Sequence, residues 1–293
     1  MYKSFSMELA GRTLTVDVGR VAAQANGAAF VHYGDTVVLS TATASDKPRE
    51  GIDFFPLSVE YEEKLYSVGK IPGGFNKREG KASENAILTS RVIDRPMRPL
   101  FPKDYRNDVT LNNLVMSVDP DCSPELTAML GSAIATAISD IPFDGPCATT
   151  QVGMINGEFV FNPNASQNAV SDLKLTVAST RDKVIMIEAG ANEISNEVMF
   201  DGIMFAHEEN KKIVEFIKGI VAEIGREKIA FESNDPSEEL YEAIKAFAID
   251  DVKVALDTDD KRIRDERLLP IYDAVHAEFD EKYPEEADKI DDC

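Results

Sequence analysis

The chain has 293 residues, 43% of them hydrophobic and 28% charged, which leaves room for about two domains with a real core. Its net charge of −21, taken whole, argues against nucleic acid, because phosphate is repelled by such a surface. No apolar run approaches the roughly 18 residues of a membrane span, and the start, Met1-Tyr2-Lys3-Ser4-Phe5-Ser6-Met7-Glu8, lacks the apolar stretch of a secretory leader.

Residues 12 to 60 alternate as strands do. Thr13–Val18, Ala28–Tyr33 and Thr36–Thr41 are separated by turn residues that include Gly34-Asp35, and Ile52 to Glu60 reads as a further strand. A loop from about Tyr61 to Gly80 follows, long enough to favour a functional loop over a connector. The pattern then predicts a helix capped by Ser83 that stops before Pro96, and a strand over Val109–Val118. Pro124–Ser139 is small and apolar, as a helix packed closely on a sheet requires. Strands are expected near 148–155, 173–179 and 184–189, and a helix over Met204–Gly225, with apolar residues at 213, 214, 217, 220, 221 and 224. The character changes across Phe231–Pro236. From 231 onward there are 21 acids against eight bases, with helix formers divided at Pro236, Pro270 and Pro284. The organisation read from this is α+β over residues 1–235, then a small all-α domain over 236–293.

The charge is unevenly spread. Ten Lys or Arg lie between Lys64 and Arg106 against four acids, so that belt carries +6 and the remainder −27. One basic belt on an acidic protein describes a focused anion site; a solvated charged helix is the alternative. Gly69-Lys70-Ile71-Pro72-Gly73-Gly74-Phe75-Asn76-Lys77-Arg78-Glu79-Gly80-Lys81 is its densest part. Glycine lets backbone approach a ligand, Phe75 offers a face to a base, and Lys77, Arg78 and Lys81 supply phosphate partners. Arg91 and Arg95, four apart on a helix, share a face, with Arg98 just beyond. Three guanidinium groups there suit a phosphate, or else pair with Asp94 and nearby acids as structural ion pairs.

These two stretches, ending in Ser90-Arg91-Val92-Ile93-Asp94-Arg95-Pro96-Met97-Arg98-Pro99-Leu100-Phe101-Pro102, resemble the first ribonuclease PH-like repeat of the bacterial polynucleotide phosphorylase family. Gly11-Arg12-Thr13-Leu14, Asp53-Phe54-Phe55-Pro56-Leu57 and Ile141-Pro142-Phe143-Asp144-Gly145-Pro146 fit the same repeat, and the acidic tail is similar to the family's helical linker. The resemblance implies a ribonuclease PH-like (ribosomal protein S5 domain 2-like) mixed sheet with helices. It also implies an enzyme that degrades single-stranded RNA from its 3′ end with inorganic phosphate, releasing nucleoside diphosphates, as a cytoplasmic, magnesium-dependent homotrimer. The loop at Phe75 would belong to the pore through which RNA is threaded, with Phe75, Lys77 and Arg78 gripping it and Lys81 beside them as a further RNA-binding cation. Arg91, Arg95 and Arg98 would guide phosphates. The family pattern there has two aromatics and two arginines; here Phe75-Asn76-Lys77-Arg78 has one aromatic and a lysine for one arginine.

The resemblance further implies that the catalytic centre lies in a second repeat beyond this chain. The active repeat's phosphate-binding serine pair is matched here by Cys122-Ser123-Pro124-Glu125, and its two metal-binding aspartates and lysine by Asn168, Lys174 and Thr176. No catalytic or metal residue is therefore assigned, magnesium is expected outside this chain, and the fragment alone is expected to be inactive. Partners expected are RNA, two further copies and components of an RNA-degradation complex, with neither membrane nor DNA. Two rival readings are a non-catalytic ring scaffold like those of the exosome and an autonomous ribonuclease PH-like phosphorylase of transfer RNA ends. Elsewhere the signals are weak. His32, His207 and His276 lack ligand spacing, Asp259-Asp260 suits a solvated loop, and Ser123 has no His/Asp constellation to activate it. Cys122, Cys147 and Cys293 read as free thiols of a reducing compartment, and Met199 and Met204 as core.

Overall fold

The computed structural model describes residues 2–231, 233 and 235–293; Met1 of the start, and Glu232 and Asn234 of the stretch where the sequence changes character, lie outside the described residues. Two compact units divide the chain, Met1–Phe231 and Glu232–Cys293.

In the first unit a six-stranded sheet is formed by β1 (Lys3–Leu9), β2 (Arg12–Val18), β3 (Gly27–Tyr33), β4 (Thr36–Ala44), β5 (Leu57–Glu63) and β6 (Val109–Ser117), in the order β1-β2-β3-β4-β6-β5. All neighbours are antiparallel except β5 and β6, whose parallel register (Leu57 opposite Val109) requires a crossover, supplied by α1 (Glu84–Met97). Alternation sets which face is covered. In β3 and β4, Ala29, Val31, Tyr33, Val38, Ser40 and Ala42 point inward against α2 (Pro124–Ile138). Every residue from Leu126 to Ile138 is buried, so α2 is a central helix, apolar all round. Gly131 makes its close approach possible: a Cβ there would meet Ser40 Oγ at 2.1 Å. The hydroxyls of Ser40 and Ser132 both donate to Asn113 Oδ1 (2.6 and 2.8 Å), so the polar groups of this contact are paired.

A second, antiparallel sheet of β7 (Ala148–Ile155), β8 (Glu158–Phe161), β9 (Leu173–Ser179) and β10 (Val184–Ala191) runs in the order β10-β9-β7-β8. The short helix α3 (Ala165–Asn168) links β8 to β9, and α4 (Asn196–Ile224) covers the sheet, enclosing Val152, Leu173, Leu175, Val177 and Ala206. The second unit is a helical hairpin of α5 (Glu238–Leu256) and α6 (Lys261–Phe279), with Leu240, Ile244, Ala248, Val275, Phe279 and Ile290 as its core.

Several boundaries differ from those expected. β1 was not anticipated, although Phe5, Met7 and Leu9 alternate; β8 and α3 are four residues each and leave little pattern. β5 starts at Leu57, five residues late, because Pro56 has no N–H for the ladder. It runs on to Glu63, and a 3₁₀ turn at Leu65–Val68 shortens the loop. α1 does not stop before Pro96. The proline sits in the last turn, where only one carbonyl loses its donor, and the Arg98 N–H still reaches Asp94 O. Pro270 does not divide the second unit either, being an exposed residue inside α6. α4 begins at Asn196, eight residues before the predicted start, just after the cap Ser195, whose hydroxyl accepts from Val198 N.

Candidate nucleic-acid interface

The basic belt lies on the loop between β5 and α1 and on the outer face of α1. Ser83 caps α1, its hydroxyl accepting from Ala86 N at 3.1 Å, and Glu84 in the first turn complements the helix dipole. The helix buries Ala86, Thr89, Ile93, Pro96 and Met97. That spacing directs Arg91, Arg95 and Arg98, at i, i+4 and i+7, along the opposite face.

Along the loop, the 3₁₀ turn closes at Gly69, whose φ of +69° is a left-handed value that glycine adopts without cost. A tighter turn follows, with Lys77 N–H donating to Gly74 O at 3.0 Å. Phe75 stands at its tip with 102% relative exposure. Lys77 has φ +50°, a conformation costing a residue with a side chain about 1 kcal/mol or more; such strain concentrates at functional loops. Lys77, Arg78 and Lys81 are exposed and, among the described residues, have no carboxylate within ion-pair distance.

Arg91 shares that condition. It lies between two adjoining cavities, one of about 800 Å³ reaching Lys81, Glu79, Glu60 and Glu62, the other of about 310 Å³ bounded by Ser90, Asp94 and Arg95. The two remaining arginines are engaged. Arg95 Nη1 lies 3.2 Å from Glu188 Oε2 on β10, and its Nη2 is 3.5 Å from Ile187 O. Arg98 forks onto Asp94 (3.0 and 2.6 Å), donates to Phe55 O and Leu57 O (3.1 and 3.2 Å), and covers the Phe55 ring at 5.8 Å. It fastens the end of α1 to the start of β5. Of the seven residues expected to meet RNA, the structure thus gathers Phe75, Lys77, Arg78 and Lys81 on one loop, leaves Arg91 open beside it, and spends Arg95 and Arg98 on internal contacts.

The electrostatics set a direction. Glu60, Glu62 and Glu63 line one wall of the larger cavity, with Lys64 pairing Glu62 at 2.5 Å. Tyr61 Oη donates to Glu63 Oε1 at 2.7 Å; burial first, and this bond second, push the phenol far above its ordinary range, so it stays neutral. A polyanion is favoured along the Lys77–Arg78–Lys81–Arg91 side and repelled from the β5 wall. In the sequence Glu79 reads only as an acid. Its Oε1 accepts from Leu65 N at 3.0 Å, which ties the two limbs of the loop together. The one visible signal for that was an acid set among cations.

The other anticipated positions look different. At the amino end of α2, Ser123 Oγ accepts from Leu126 N and donates to Glu125 Oε2 (both 3.1 Å), and Asn85 Nδ2 approaches Glu125 Oε1 at 3.4 Å. The chain's own carboxylate thus occupies the hydroxyl that an anion would use. Burial raises the Cys122 thiol to about 11, with Asp119 adding to it, so it is no nucleophile at neutral pH. Asn168 Nδ2 is bonded to Pro163 O, Lys174 is exposed, and Thr176 is buried on β9. This trio offers magnesium no carboxylate, and among the described residues no three His, Cys, Asp or Glu side chains gather as a metal site. No helix of the described residues is long and apolar enough to cross a membrane.

Comparisons with known proteins place the chain in a family. Residues 10–142 match the model of the 3′ exoribonuclease family, domain 1, and residues 145–209 that of the same family's domain 2. A polyribonucleotide nucleotidyltransferase of Lachnoclostridium phytofermentans is 73% identical over the whole chain, which spans 42% of that relative's length. Relatives of the same name from Ruminiclostridium cellulolyticum (56% identical, all of this chain, 42% of the relative) and Clostridioides difficile (54%, 95% of this chain, 40% of the relative) are similar. Rice Rrp46 shares the fold, with a TM-score of 0.57 at 14% identity over 76% of this chain and 94% of its own. The chain belongs to the 3′ exoribonuclease family.

Proposed function

We propose that this chain is the RNA-holding amino-terminal part of a phosphate-dependent 3′-to-5′ exoribonuclease. Residues 1–235 form its first ribonuclease PH-like domain and 236–293 its helical linker. The observation that carries the reading is a fully exposed Phe75 on a strained turn beside Lys77, Arg78 and Lys81, none of them paired among the described residues. An aromatic face among free cations holds single strands with little regard to sequence. In the whole enzyme, phosphate would attack the terminal phosphodiester, releasing a nucleoside diphosphate and leaving a 3′-hydroxyl on the shortened RNA. The residues here do not fit magnesium, so the ion and the catalytic groups would be supplied from beyond this chain. Three copies in a cytoplasmic ring would bring three such loops around one strand.

The test is salt-dependent binding of a labelled single-stranded RNA. Replacing Lys77 and Arg78 by alanine is expected to weaken binding and lower the slope of log K against log salt by about 1.4, the value for two lost single-strand phosphate contacts. An unchanged slope would favour the scaffold reading. That reading draws its own support from Arg95 and Arg98, which are engaged internally. A phosphate-dependent release assay on the 293-residue chain is expected to give no diphosphate; product would support an autonomous phosphorylase.

A further inference from the structure

We infer that Glu79 is a positioning residue for RNA, a clasp that holds the cationic loop as a preformed finger; this rests on the reading that the loop binds RNA. The incoming limb is well anchored. Lys64 N donates to Val115 O, Val118 N to Ser67 O, Gly69 N to Tyr66 O and Lys70 N to Leu65 O, at 3.5, 3.3, 3.0 and 2.9 Å. The outgoing limb is not. Between Lys70 and the cap at Ser83, the described hydrogen bonds are two: the turn from Lys77 N to Gly74 O, which is internal to the tip, and Glu79 Oε1 to Leu65 N at 3.0 Å. Among the described residues, Glu79 alone therefore joins the returning chain to the anchored one by a hydrogen bond.

The bond answers a local need. Leu65 opens the 3₁₀ turn, its amide is an orphan donor, and the preceding Lys64 gives no side-chain cap. Glu79 supplies the missing acceptor from fourteen residues downstream. The cations that meet the strand, Lys77, Arg78 and Lys81, flank this tie directly. A loop closed at its base presents them as a set. An untied loop must be ordered at each binding event, which lowers affinity without removing any contact. A carboxylate in an RNA-gripping loop would otherwise oppose binding by its charge.

The test separates reach from charge in the 293-residue chain, using the same labelled RNA. In Glu79→Gln the acceptor oxygen stays and the charge goes; affinity is expected at or slightly above the parent's. Glu79→Asp keeps the charge but withdraws the oxygen by a methylene, and with Glu79→Ala it is expected to bind about three- to tenfold more weakly, the worth of one net hydrogen bond. The salt slope should stay unchanged in all three, since no cation is lost. An order set by charge, with Asp like the parent and Gln and Ala both tighter, would overturn the proposal. Exchange of the Leu65 amide, measured without RNA, should quicken in the Asp and Ala variants. Faster exchange with unaltered affinity would sink the clasp's role, and if the Lys77/Arg78 double variant also bound like the parent, the RNA assignment of the loop would go with it. Unaltered exchange, while the Lys77/Arg78 double variant still weakens binding, would remove the clasp alone.

Discussion

Lys77, Arg78, Lys81 and Arg91 stand in solvent without ion-pair partners among the described residues, whereas Arg95 and Arg98, a turn or two further along the same belt, are held by Glu188 and Asp94. Composition does not distinguish the two groups, since both are cations on exposed surface. What separates them is the backbone around each. The loop lifts its cations away from the sheet, and the one acid in its own sequence, Glu79, is turned inward onto an amide. The end of α1 lies against β5 and β10, which present carbonyls and a carboxylate. A basic belt can therefore be half binding surface and half brace. Exposed ion pairs contribute little, about 0.2–1 kcal/mol, but Arg98 also donates to two backbone carbonyls and covers an aromatic ring.

The sharpest way to break this division is to remove Arg98. Arg98→Ala should lower stability by about 2–3 kcal/mol, the range for charged hydrogen bonds discounted for partial exposure. Urea unfolding reads this, and the salt slope of RNA binding should not move. A flattened slope with intact stability would put Arg98 on the other side of the comparison. The converse experiment is Phe75→Ala. With its ring wholly in solvent the substitution should leave the unfolding midpoint where it is, yet cost about 1–2 kcal/mol of RNA affinity, the lower part of the range for one stacked base. Equal binding by the variant would mean the ring touches no base.

Much of this arrangement was legible in the residues themselves. The alternation in 28–33 and 36–41, the cap at Ser83 and the small apolar run of 126–138 each follow from local rules that the tertiary fold does not contradict. Pro96 and Pro270 misled because a proline ends a helix only where its orphaned carbonyl has no other remedy; one sits in a last turn and the other faces water. The site was half readable for a similar reason. Glycines and an aromatic among cations mark a loop that meets a polyanion, but the partners of Arg95 lie 93 residues away in sequence, on β10. Spacing along α1 carries no trace of them. Glu79 was hidden in the same manner, its role resting on an amide across the loop.

The comparison of free and partnered cations extends, with a smaller effect, to two histidines. His207 on α4 is buried and its affinity for a proton is lowered, first by desolvation and then by Lys211. His276 on α6 is the reverse: Nδ1 lies 2.9 Å from Asp280 Oδ1 and Nε2 3.0 Å from Asp291 Oδ1. Two carboxylates facing the two nitrogens are both satisfied only by a doubly protonated ring, and the bonds to Asp280 and then Asp291 raise its pKa. Asp291 belongs to the carboxyl-terminal 3₁₀ turn Ala287–Asp292, which seats Ile290 in the core of the helical unit. A folded pKa above the unfolded one adds stability that is complete below the ordinary histidine value, near 6.5, and is lost as pH rises through the elevated value. The turn should therefore loosen on the alkaline side of that window. Exchange of the Cys293 amide, which donates to Ile290 O, would report it against a pH-matched reference such as an α2 amide. In His276→Gln, which cannot be charged, that pH dependence should vanish, and its persistence would assign the turn's stability to Ile290 packing instead.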